Sequence, residues 1–187
     1  RTFTVSVVLM AISMMALFGT IILLPIYMQN VLGLDALKTG LLLLPGGLVM
    51  GLMAPPVGRL YDRHGPTPLI LPGSALVSAV MWGMAFMNEF THVGWLLAAH
   101  IVLSIGLALM FTPLFSASLG SLPPKLYSHG SAVIGTIQQV AGAAGTALFI
   151  ALMANQMAAL TASGLSEIAS TAGGIRTAYL WGAVIST

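Results

Sequence analysis

The chain contains no cysteine, which excludes disulfides, thiolate metal sites and cysteine nucleophiles. Charge is almost as scarce. Six Lys or Arg and four Asp or Glu make up 5% of the residues, where a soluble domain carries about 25%. Water is therefore not the main solvent for this surface. A net charge of +2, with its basic residues scattered, gives no electrostatic footprint for nucleic acid despite a pI near 9.3. Neither H-E-x-x-H nor G-x-S-x-G occurs, so the signatures of a zinc protease and of an esterase elbow are missing. No cofactor or metal is implied.

What is present is apolar surface: 58% of the residues are hydrophobic and the mean hydropathy is +1.01. A bilayer core about 30 Å thick needs about 20 apolar residues at 1.5 Å rise each. Five runs reach that length: Phe3 to Tyr27, Ala36 to about Leu60, Pro68 to Met87, Val93 to about Leu119, and Ser131 to about Leu160. A sixth opens near Gly174 and is cut at Thr187. Proline and glycine inside these runs argue against soluble helices but are tolerated in membranes. The runs recur along the full length, which does not fit a signal peptide. Arg1 at the start and Thr187 inside an apolar run lead us to expect a piece of a longer membrane protein.

The connectors carry the polar chemistry. Asp35 stands where an N-cap of the second helix belongs, and "TASGLSEIASTAG" (161–173) reads as a small, polar, mobile loop. Placing Arg1, Arg59, Arg63 and Lys125 on one side leaves Lys38 and Arg176 on the other, with Asp35, Glu89 and Glu167. By the excess of Lys and Arg in cytoplasmic loops, the loop at 58–65 faces the cytoplasm. That loop, "GRLYDRHG", crowds Arg59, Asp62 and Arg63 between two apolar runs. The two arginines suit anchors at the interface. Asp62 suits a cap for the third helix or an arginine partner, Gly58 a close helix approach, and Gly65 before Pro66 a sharp reversal.

The spacing G-x-x-x-D-R-x-G at Gly58, Asp62, Arg63 and Gly65 resembles the cytoplasmic loop motif of the major facilitator superfamily. The basic residues that usually follow the last glycine are replaced by Pro66 and Thr67. "LLPIYMQNVLGLDALKTGLLLLPGG" looks like the opening of the second half of fourteen-helix drug:proton antiporters of the EmrB/QacA type. "GSAVIGTIQQVAGAAGTAL" (130–148) looks like their eleventh core helix, with Gln138 where an arginine is common. The resemblance implies an all-α integral membrane fold: one six-helix half (1–187, last helix truncated) built from two inverted three-helix repeats, 1–88 and 89–187. It implies proton-coupled export of lipophilic or cationic compounds by alternating access, at the cell membrane, in several passes. The partners implied are a missing amino-terminal half of the same polypeptide, the lipid bilayer, a lipophilic small molecule and protons. Residues 58–65 would be a gating loop on the cytoplasmic face.

Substrate sites in such folds lie near the bilayer midplane, which on the fifth helix falls at Gln138, Gln139 and Gly142. Gly135, Gln138, Gly142 and Gly145 share one stripe, while Thr136, Gln139, Ala143 and Thr146 share another. We read Gln139, with Thr136, as cavity residues and Gln138 as a cavity residue or interhelical glue. Met14, Met15 and Phe18 on the first helix and Phe111 and Thr112 on the fourth are further cavity candidates, against an ordinary packing role. His100 is a packing histidine or a proton carrier. The charged residues all fall outside the apolar cores, so the coupling carboxylates are expected in the missing half. Two other classes stand beside the exporter: a non-transporting structural or assembly subunit, and an intramembrane enzyme drawing on Ser74, Ser104 and His100.

Overall fold

A bilayer offers the backbone no hydrogen-bond partners, so long apolar runs close their bonds within helices. A computed structural model, describing residues 2–187, shows this throughout. The helices are α1 (Thr2–Ile26), α2 (Ala36–His64), α3 (Thr67–Met84), α4 (Val93–Gly120), α5 (Tyr127–Ala162) and α6 (Glu167–Ser186). No strand occurs among the described residues. A π-helical turn, Tyr27–Val31, extends α1, and a 3₁₀ turn, Pro124–Leu126, leads into α5. Five of the helices are long and apolar enough to cross a membrane. α6 falls outside that set and carries Glu167 and Arg176.

Helix α4 is the centre. It packs against α1, α2 and α3, and half of its apolar window is buried, against 11% for α2 and 22% for α5. α5 lies against α1 and α6, and α3 against α6. Small residues permit these approaches, since bilayer helices associate by close van der Waals packing rather than by exclusion of water. A Cβ on Gly145 would lie 2.6 Å from the Met15 backbone, and one on Gly142 3.0 Å from the Phe18 ring. The Phe149 ring is clamped between Gly19 of α1 and Gly182 of α6, and stands edge-to-face on Tyr179 with ring centroids 6.5 Å apart. Edge-to-face contact sets a positive ring edge against a negative face.

Several boundaries differ from the sequence reading. α2 does not stop near Leu60 but runs to His64, so Arg59, Asp62 and Arg63 occupy its last two turns and only Gly65 and Pro66 connect it to α3. Gly65 closes α2 with φ of +75°, a conformation open to glycine, and donates its N–H to the Tyr61 carbonyl. α6 starts at Glu167 rather than near Gly174, which cuts the expected loop at 161–173 to residues 163–166. The reason is a cap: the Ser166 hydroxyl accepts the Ala169 N–H at 3.3 Å, and Glu167 adds negative charge at the helix's positive end. Arg176 therefore lies in the middle of α6 rather than at its start. It donates Nε–H to the Ala85 carbonyl at the end of α3 (3.1 Å), a favourable place for a cation.

Candidate functional site

The charges sort by end. Asp35 follows the π turn, Glu89 adjoins Asn88, whose carbonyl accepts the Tyr27 hydroxyl, and Glu167 borders a cavity with Asn30. These three acids share one end of the bundle. The Asp35 cap expected from sequence is formed: its carboxylate accepts the Lys38 N–H at 2.8 Å and pairs with Lys38 Nζ at 3.2 Å. The Lys38 backbone N–H, then its side chain, hold the Asp35 carboxyl below the usual carboxylate range. Arg59, Asp62, Arg63 and Lys125 follow from the alternation of helix direction and mark the opposite, basic end.

At that basic end the expectations for Asp62 and Gly58 are corrected. Asp62 makes no ion pair and no cap among the described residues; the N-cap of α3 is Pro66, without a side-chain bond. Arg59, Asp62 and Arg63 are exposed, and Arg59 and Arg63 flank a shallow groove with Pro56 and Leu60. No atom of the described residues lies within 4 Å of a Cβ built on Gly58, so none of them approaches it closely. The same is true of Gly40, Gly47 and Gly51, which with Gly58 line one exposed side of α2.

The two glutamines of α5 point different ways, as one residue's 100° turn on a helix requires. Gln138 is half-buried and donates Nε2–H to Met10 Sδ at 2.8 Å, which joins α5 to α1. Gln139 is exposed, as is Thr136 one turn before it, whose hydroxyl donates back to the Ala132 carbonyl. Met15 and Phe18 are half-buried against Gly145 and Gly142, so both pack the α1–α5 seam. Met14 and Thr112 are half-buried, and Phe111 packs on the core. The cavities of about 430, 310 and 190 Å³ are lined by other residues than Thr136 and Gln139.

His100 lies against the bare backbone of Gly46, where a Cβ would come within 2.3 Å of the imidazole, and its Nδ1 has no hydrogen-bond partner among the described residues. Ser104 donates to the His100 carbonyl rather than to the ring, and Ser74 to the Leu71 carbonyl. No serine–histidine dyad is assembled from these residues. Sequence reasoning missed the polar cavity at the acidic end, formed by Ile26, Asn30, Met153, Met157, Glu167, Ile168 and Thr171. The four-residue spacings of Met153 with Met157 and of Glu167 with Thr171 put each pair on one helix face, but that the two faces meet depends on the packing of segments far apart in sequence.

Comparison with known proteins places this architecture. The chain is 40% identical to the lincomycin resistance protein LmrB of Listeria monocytogenes over 98% of its length, which covers 40% of that relative. It is 38% identical to LmrB of Bacillus subtilis over 81% of the chain and 32% of the relative. It is 32% identical to a multidrug resistance protein B homolog of Mycobacterium tuberculosis over 79% of the chain and 28% of the relative. The chain thus spans at most 40% of the length of these relatives. They and the apolar helices mark a multi-pass plasma-membrane protein. The profile of the Major Facilitator Superfamily matches residues 2–146, and the chain belongs to that family.

Proposed function

We propose that this chain forms the carboxyl-terminal half of an exporter that moves lipophilic or cationic drugs outward in exchange for protons. The observation that carries this reading is identity of about 40% to a lincomycin resistance protein across 98% of the chain. The exposure of two helices supports a place for substrate on this half. Helices α2 and α5 leave most of their surface uncovered, and the open side of α5 presents Thr136 and Gln139. A cavity closed by the missing amino-terminal half would use that side, with Gln139 hydrogen-bonding substrate and Gln138 kept for the seam. A glutamine exposed to hydrocarbon would be costly, which argues for a wet cavity and against a purely structural subunit.

Two further elements belong to the proposal. Residues 1–88 and 89–187 would be inverted repeats; swapping the two triplets exchanges the contact of α1 with α5 for that of α2 with α4, and both contacts are extensive. The basic end, 58–65, would face the cytoplasm and act as a gate, its exposed Arg59, Asp62 and Arg63 finding partners in the other half. No carboxylate lies in the middle of the five apolar spans, so the proton site is assigned to the missing half. The test is drug efflux from everted vesicles under an imposed pH gradient, with several chemically distinct drugs. Gln139→Ala should alter the rank order of substrates while leaving proton coupling intact. Equal loss of all substrates together with a collapse in protein level would overturn the cavity role.

A further inference from the structure

Three helices meet at the acidic end, and each contributes a pair of residues four apart, on one face. They are Ile26 and Asn30 from α1 and its π turn, Met153 and Met157 from α5, and Glu167 and Thr171 from α6. Together they wall a cavity of about 430 Å³, within the roughly 300–1,000 Å³ of small-molecule sites. Its floor is firm, because α5 and α6 are pressed together at Gly174, where a Cβ would sit 2.5 Å from the Met153 carbonyl oxygen. Thr171 is already engaged, donating to the Glu167 carbonyl at 2.8 Å and lying 3.6 Å from Met157 Sδ. The free polar groups are therefore the Asn30 amide and the Glu167 carboxylate.

Glu167 has no cationic partner among the described residues. The other charge on its helix, Arg176, lies nine residues on, half a turn away at 100° per residue, and is held by the Ala85 carbonyl. The cavity thus joins adaptable thioether walls to one carboxylate at the α6 N-terminus with no cationic side chain beside it among the described residues. We propose that it binds an organic cation, with the apolar groups on Met153 and Met157 and the positive centre on Glu167. Met157 lies about five turns along α5 from Gln139, on the same stripe at 100° per residue, so this site sits at the acidic end of the open side of α5, and it rests on the export reading for the identity of its natural ligand. The cation could arrive as a free lipophilic drug or as the headgroup of phosphatidylethanolamine; the charge chemistry is shared.

The test uses the full-length polypeptide that carries this chain, cleared of other cysteines, in phosphatidylglycerol nanodiscs without any gradient. Met157→Cys reports locally on the cavity through its alkylation by a maleimide. Tetraphenylphosphonium should slow that alkylation, and Glu167→Gln should raise the half-protecting concentration about fivefold, the factor for about 1 kcal/mol from one exposed ion pair. Glu167→Asp should restore protection, and the uncharged triphenylphosphine oxide should protect equally with and without the carboxylate. If added phosphatidylethanolamine protects the cysteine only when Glu167 is present, the headgroup is the resident cation and the proposal stands. Equal tetraphenylphosphonium protection in the Glu167 and Glu167→Gln proteins overturns it. A protein that passes this test yet exports no drug sinks the export reading alone.

Discussion

The tightest test of the packing is Gly19→Ala. The new Cβ would lie 2.7, 2.8 and 2.9 Å from Phe149 Cγ, Cδ1 and Cδ2, against a comfortable carbon–carbon separation of about 3.5–4.0 Å. The ring must therefore retreat by about 1 Å. It has little room, because its far edge already sits 2.7 Å from where a Gly182 Cβ would be, and Tyr179 packs on it with ring centroids 6.5 Å apart. Overpacking of this kind costs about 1–3 kcal/mol, which lowers Tm. Gly47→Ala is the control, with no atom within 4 Å of the added methyl. The assay is thermal unfolding of the detergent-solubilised full-length transporter. Gly19→Ala should lower Tm while Gly47→Ala leaves it level, and Phe149→Leu should recover part of the loss in the Gly19→Ala background. Equal shifts for the two glycine variants, or no recovery in the double variant, would refute the clamp.

The remaining predictions concern the two ends. Asp62→Asn should impair efflux several-fold with protein level and Tm unchanged, since Asp62 is exposed and makes no side-chain bond among the described residues; unchanged transport would leave 58–65 as an anchor only. The Asp35 carboxyl is held low by the Lys38 N–H, so its cap contributes fully above the ordinary carboxylate pKa and is lost as pH falls through the lowered folded value. Wild type should therefore lose Tm on acidification below about pH 4 faster than Asp35→Asn, whose cap does not titrate; parallel curves would contradict the assignment. Cysteines at positions 62 and 89 should react with an impermeant thiol reagent from opposite sides of the membrane, and labelling from one side would overturn the topology.

Much of the fold was legible because a bilayer reduces the problem to apolar length and punctuation. Five spans and the Asp35 cap follow from that alone. The errors lie where polarity and helix formation part company. His64 and Asp62 are charged or polar yet helical, because only Gly65 has the φ that ends the helix. The segment after Ser166 reads as a loop by composition, yet the Ser166 cap and Glu167 start a helix there. The Gln138 and Gln139 contrast was readable from the 100° step between neighbours and the glycines that share a stripe with Gln138. The cavity at Glu167 was not, since it depends on three segments far apart in sequence meeting at one end.

The account stands or falls on whether the open side of α5 faces a substrate. The chain has no cysteine of its own, so Gln139→Cys places a single thiol on this half, and Trp82→Cys, on exposed α3 surface, provides a control. The measurement is alkylation of each by a small maleimide in membranes containing the full-length transporter, with and without a saturating exported drug. Drug should slow labelling at position 139 and leave position 82 unchanged. Labelling at 139 that ignores every drug the protein exports would contradict a substrate cavity on this side of α5.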